Sequence, residues 1–261
     1  MTHSISAFYQ CYKQPKALLR TLSSFKQFYS QSEIELISDG GGYNYVAIAD
    51  HFNIHYRQLS KRTGEVANST VFSRRQDIIE WIARLVEAAK NTKGEYLLLL
   101  EDDVVVLKKI ESQLPYDING ANKKEFLGEK MEEYLLRMGK NAPTKKNRFF
   151  YGGCGGSIFK ASFLVKNFSD HKLIESIIVE LEPYREGRHL EIYSTDYWIS
   201  LLTYYVGGTI GRYNGFCEKW ERVYWWRKYI MKNIEVVHQD KTFYNKPLLK
   251  REKQLLGEFL K

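Results

Sequence analysis

The chain has 261 residues, enough to bury a sizeable core as one large α/β domain. A composition of 44% hydrophobic and 27% charged residues excludes global disorder. The net charge of +8 suits an anionic ligand without choosing among nucleic acid, membrane surface and nucleotide phosphates.

The N-terminus, MTHSISAFYQ, lacks the basic region and long apolar run of a signal peptide. No stretch approaches the roughly 18 apolar residues of a membrane span, so a soluble, cytoplasmic chain is the expectation. Residues 4–10 predict a short strand. Pro15 then suits the first turn of a helix running to about 29, with Leu18, Leu19, Leu22 and Phe25 on one face. A second strand over 34–38 stops at Asp39-Gly40-Gly41-Gly42. A helix over about 44–51 leads to a third strand over 54–59, and the polar stretch 60–70 reads as loop. Residues 73–90 predict a long amphipathic helix, with Ile78, Ile79, Ile82, Leu85 and Val86 at helical spacing. From Gly94 the sequence GEYLLLLEDDVVV begins, and its apolar run from Tyr96 to Leu100 marks a strand buried on both faces. Strands alternating with helices argue for a three-layer α/β fold around a mostly parallel central sheet.

After Leu107 the rhythm loosens. A charged helix over 123–140, a basic loop over 145–148 and the glycine-rich YGGCGGSIF at 151–159 follow. Helices over 172–181 and 195–206 and a last strand over 234–238 complete the reading. No repeat or linker divides the chain, so one domain over 1–261 with a less regular C-terminal half is expected. Cys11, Cys154 and Cys217 are too few and too widely spaced for a disulfide framework, and no CxxC occurs.

Glu101-Asp102-Asp103 carries the strongest chemical signal. Three carboxylates leaving a buried strand repel one another, so something cationic should compensate them. Ligands of open α/β sheets bind at the carboxyl ends of the strands, where this cluster falls. In an extended chain Glu101 and Asp103 would share a face and Asp102 would point away. A divalent ion, Mn²⁺ or Mg²⁺, shared between carboxylates and phosphate oxygens is the natural occupant; a polar turn ending the strand is the plainer alternative. Asp39, ahead of three glycines, is placed to accept from a base NH or a ribose hydroxyl, or else to cap its own tight turn.

The order of these parts resembles the nucleotide-binding half of GT-A glycosyltransferases, especially the inverting family-two-like enzymes. The resemblance rests on QCYKQPKAL, with Gln10 where proline is usual and Lys13 where asparagine is. It continues through SDGGG, through FSRRQ with Arg74 and Arg75, and through GEYLLLLEDDVVV. It covers about residues 4–107, the expected nucleotide-sugar-binding half, and leaves about 108–261 as the acceptor side. It implies a GT-A, Rossmann-like sandwich that transfers a sugar from a nucleotide diphosphate donor, with a UDP-hexose as the default. The acceptor would be a glycan or glycoprotein hydroxyl.

By the same resemblance Asp103 touches the metal, while Glu101 and Asp102 bond the ribose and metal-bound water. Gln10, Asp39 and Arg75 line the donor site. His238 in EVVHQDK is a further metal ligand, and Lys241 meets the diphosphate. Asp196 in EIYSTDYWISLL resembles the base of inverting GT-A enzymes, with Glu191 as the alternative; Asp196 is equally suited to start a helix. YGGCGGS is no phosphate loop, and Cys154 reads as a site wall rather than a nucleophile. Trp220, Tyr224, Trp225 and Trp226, beside Arg222 and Arg227, suit core packing or stacking on an acceptor sugar. Two rival readings remain. One is phosphoryl transfer, as a nuclease or nucleotidyltransferase, with Asp39, Glu101 and Asp103 around two ions. The other is a non-catalytic sugar-binding relative. Scattered basic residues argue against a nucleic-acid partner.

Overall fold

The structure, a computed structural model, describes residues 3–60, 63, 75–120, 123–126, 128–140, 148–185, 195–218, 233–238, 250, 253–254 and 257. The first half alternates as the sequence pattern predicts: β1 (Ile5–Cys11), α1 (Pro15–Phe28), β2 (Ile34–Asp39), α2 (Val46–Phe52), β3 (His55–Leu59), α3 (Arg75–Asn91) and β4 (Tyr96–Leu100). Pro15 occupies the first turn of α1, where its missing N–H costs nothing. Asn53 closes α2 in the left-handed conformation, at φ 49°. The second half supplies β5 (Val105–Val106), β6 (Ile118–Asn119), β7 (Lys123–Phe126), α4 (Glu129–Arg137), β8 (Arg148–Tyr151), β9 (Ile158–Lys160), α5 (Ala161–Phe168), α6 (His171–Leu181), α7 (Thr195–Tyr205), β10 (Ile210–Gly211), β11 (Phe216–Glu218) and β12 (Val236–His238).

Seven strands form the central sheet in the order β10-β6-β9-β4-β1-β2-β3. Every neighbouring pair is parallel except those of β9, which runs antiparallel to both β4 and β6. The period of two sorts the side chains into two cores. Phe8, Ile37, Leu97 and Leu99 pack on one face against α3, α5, α6 and α7. Ala7, Tyr9, Leu36, Leu98 and Leu100 pack on the other against α1 and α2. All five residues of β4 are buried because both faces are covered, as its unbroken apolar run requires.

The predicted helix over 123–140 is only half right. Lys123–Phe126 is a strand paired antiparallel with β8, and Gly128, at φ 93°, separates it from α4. Cross-strand pairing overrides the helical preference of a Lys- and Glu-rich segment. Asp170 caps α6 by accepting from the backbone N–H groups of Lys172 and Leu173 at 3.0 and 3.2 Å.

Two features of the topology place the site. The chain leaves β1 toward β2 on one side and reaches β4 on the other, so β1 and β4 flank a switch point whose carboxyl-side crevice is the ligand position of such sheets. A second sheet, β11-β12-β5, grows from the segment after β4. In it Val237 faces Val105 and Val236 faces Val106 in antiparallel register. One further step along that register sets His238 opposite Val104, beside the carboxylates that precede β5.

Candidate active site

Leaving β4, the chain turns at once: the Val104 N–H donates to the Glu101 carbonyl at 3.1 Å. The predicted division of the three carboxylates holds although the backbone is a turn and not a strand. Glu101 and Asp103 converge with His238, and one ligand atom from each lies within 4.8 Å of the others. His238 Nε2 is 3.3 Å from Glu101 Oε2 and 3.5 Å from Asp103 Oδ1. Ligands about 2.1 Å from one octahedral ion sit about 3 Å apart, so this spacing fits a shared cation. The side chains are 40%, 25% and 7% exposed for Glu101, Asp103 and His238, which leaves the carboxylates open to a ligand and buries the imidazole. Burial opposes a charged imidazole, but Cys154 and Glu101 outweigh it and hold the His238 pKa well above its ordinary value. Two carboxylates converging on an imidazole make a place where positive charge is favoured, which a bound cation would supply.

Asp102 turns away from this cluster. The Tyr9 hydroxyl donates to its Oδ1 at 2.7 Å. Burial first, with the neighbouring Glu101 and Asp103, raises its pKa to about 7 against the lowering effect of that bond. That bond sets Asp102 apart from the Glu101, Asp103 and His238 cluster.

The ends of β1 and β2 carry a second constellation. Asp39, 1% exposed, accepts from Gln10 Nε2 at 3.0 Å, from the Thr63 N–H at 2.8 Å and from Arg84 Nη1 at 2.8 Å. Gln10 and Asp39 therefore come together as the sequence reading expects. Arg84, in the middle of α3, is the residue that reading misses. Arg75 Nε and Nη2 hold both oxygens of Glu182, at 3.0 and 2.6 Å. In the loop after β1, Lys13 adopts φ 53°, a left-handed conformation that asparagine tolerates better than lysine.

The glycine-rich segment runs between the cation cluster and α7. A Cβ on Gly155 would stand 2.7 Å from Glu101 Oε2, and one on Gly153 would stand 3.2 Å from the Asp196 Cα. Only glycine allows so close a passage, and at Gly153 φ is also positive, at 95°. Cys154, between them, is buried; burial pushes its thiol pKa up, and the nearby His238 pulls it down. A thiol whose pKa is raised carries less of the thiolate, which is the nucleophilic form. Asp196 is the second residue of α7 and accepts from the Thr195 hydroxyl at 3.1 Å. A carboxylate in the first turn suits the positive end of the helix. Lys241, Glu191, Arg74 and the aromatic group Trp220, Tyr224, Trp225 and Trp226 lie outside the described residues. Among the described residues no helix is long and apolar enough to cross a membrane.

No family model and no curated protein matches the chain. Solved structures do. The galactosyltransferase LgtC, in complex with donor and acceptor sugar analogues, aligns over 97% of this chain and 95% of its own at 11% identity, with a TM-score of 0.52. Mouse xyloside xylosyltransferase 1, in its apo form, aligns over 94% of this chain and 99% of its own at 10% identity, with a TM-score of 0.50. Likeness at this level of identity shows the fold, and the fold is GT-A.

Proposed function

We propose that this chain is a cation-dependent glycosyltransferase. It would transfer a sugar, by default from a UDP-hexose, to a hydroxyl of a glycan or glycoprotein acceptor. The observation that carries the reading is the convergence of Glu101, Asp103 and His238 at the carboxyl edge of the sheet, next to the strand ends that bear Gln10 and Asp39. Both structural neighbours are glycosyltransferases by name, which supports the same class of chemistry here.

In this reading Glu101, Asp103 and His238 hold Mn²⁺ or Mg²⁺, which when bound supplies positive charge to the departing diphosphate. Gln10 and Asp39 sit on the nucleoside side, and Lys241 is the expected further contact to the diphosphate. Asp196, across the glycine segment from Glu101, takes the proton from the acceptor hydroxyl as its oxygen bonds the anomeric carbon and the bond to the diphosphate breaks on the opposite face, a single displacement that inverts that centre. The two-ion phosphoryl-transfer reading is disfavoured because Asp39 faces Arg84 instead of joining the carboxylate cluster.

The test is a thermal-shift panel of nucleoside diphosphates with Mn²⁺ or with EDTA. A ligand a hundredfold above its Kd should stabilise the fold by about 2.7 kcal/mol, and only with the ion present. No cation-dependent shift with any nucleoside diphosphate would refute the assignment.

A further inference from the structure

Arg84 is the least expected charge in the molecule. It lies near the middle of α3, three residues after Trp81 and four before Ala88, both buried, and only 4% of its own side chain is exposed. A guanidinium in such a place needs dedicated partners. Nη1 donates to Asp39 Oδ1 at 2.8 Å and to Gln10 Oε1 at 3.2 Å; Nη2 donates to Glu80 Oε1 at 2.9 Å. The bond to Gln10 Oε1 fixes which way the amide faces, leaving Nε2 to donate to Asp39 Oδ2 at 3.0 Å and to Thr63 Oγ1 at 3.3 Å. One planar group on a helix thus sets the orientation of two side chains on neighbouring strands, both at the sheet edge where ligands bind.

We propose that Arg84 is a positioning residue for the donor nucleoside, holding Asp39 and Gln10 in the orientation that reads it. The inference rests on the donor reading above and concerns the nucleoside end alone. The cation and diphosphate end, at Glu101, Asp103 and His238, is built from other elements. Lysine would keep the charge at position 84 but, as a point donor, would not span Asp39, Gln10 and Glu80 together. Loss of positioning should therefore weaken nucleoside-dependent binding and leave binding of the cation-bound diphosphate group unchanged.

The experiment is calorimetric titration of the full chain and of Arg84→Lys with UDP and, separately, with inorganic pyrophosphate, both in Mg²⁺. The expected result is UDP affinity reduced by about tenfold or more, the scale of a lost hydrogen bond to a charged group, with pyrophosphate affinity within about twofold of wild type. Equal weakening of both ligands marks a structural role and overturns the proposal, as does unchanged UDP affinity in the folded variant. If Arg84→Lys fails to fold, the wild-type chain still decides. The Arg84 side-chain ¹⁵N resonance, assigned through its own backbone, should move with UDP and not with pyrophosphate; a resonance unmoved by UDP overturns the proposal. A wild-type chain that binds no nucleoside diphosphate instead refutes the donor reading itself.

Discussion

Replacing Gly155 with alanine tests the cation site without substituting a ligand residue. The added Cβ would stand 2.7 Å from Glu101 Oε2, 2.9 Å from its Cδ and 2.7 Å from Val104 Cγ2. Contacts at ease lie at about 3.5–4.0 Å, so the neighbours must retreat by roughly 0.8 Å or more. Gly155 does not need a left-handed backbone, so the clash is the whole perturbation. Glu101, 40% exposed, can swing aside, whereas the Val104 methyl is fully buried and cannot. Overpacking of this kind costs about 1–3 kcal/mol, and for a chain of this size that is a fall of about 2–12 °C in Tm. The swing moves Glu101 off His238 and Asp103. Disturbing what orients a metal ligand typically costs about 10–100-fold in affinity, which is the expected loss for Mn²⁺, read as free ion by electron paramagnetic resonance well below the Tm. Gly139→Ala is the control: its Cβ meets nothing within 4 Å and its φ is 65°, so it should cost stability alone. Wild-type Mn²⁺ affinity in a folded Gly155→Ala chain would show that Glu101 is not a ligand held in place by this segment.

Asp196→Asn should lower turnover by about a hundred- to ten-thousandfold, the usual contribution of a general base, while donor affinity stays level. Loss of the carboxylate from the first turn of α7 should cost only about 0.3–1 kcal/mol, so retained turnover would leave Asp196 as a helix residue and direct attention to Glu191. Arg75→Ala, by contrast, breaks a partly exposed pair with Glu182 and should cost up to about 1 kcal/mol with no change in UDP affinity. A fall in UDP affinity in that variant would place Arg75 on the donor after all.

The first half of the fold is legible because local pattern and tertiary role agree there. The residues of β4 are apolar without interruption because helices cover both faces, and the residues of α1 and α3 repeat at helical spacing because each buries one stripe. The second half is less legible because its strands are short. β5, β6 and β10 have two residues each, too few to show any period. Lys123–Phe126 shows the consequence: its composition favours helix, and only the partner strand β8 makes it a strand.

The site divides along the same line. The expectation that Glu101 and Asp103 share a face assumes an extended chain; the chain turns there instead, and the two converge through that turn. His238 joins them through the register of β12 on β5, a pairing between residues more than a hundred positions apart that no local pattern contains. Arg84 was concealed differently. It stands at the border of the apolar arc of α3, where an arginine ordinarily reaches for solvent, and FSRRQ nearby offers a more conspicuous pair of arginines. What tells them apart is the partner: Arg75 meets Glu182, and Arg84 meets the carboxylate that ends β2. A buried carboxylate needs a counter-charge, so Asp39 at the end of a buried strand already requires a cation nearby. The helix that packs across β1 and β2 is where to seek it, and its arginine nearest the buried face is the one that fits.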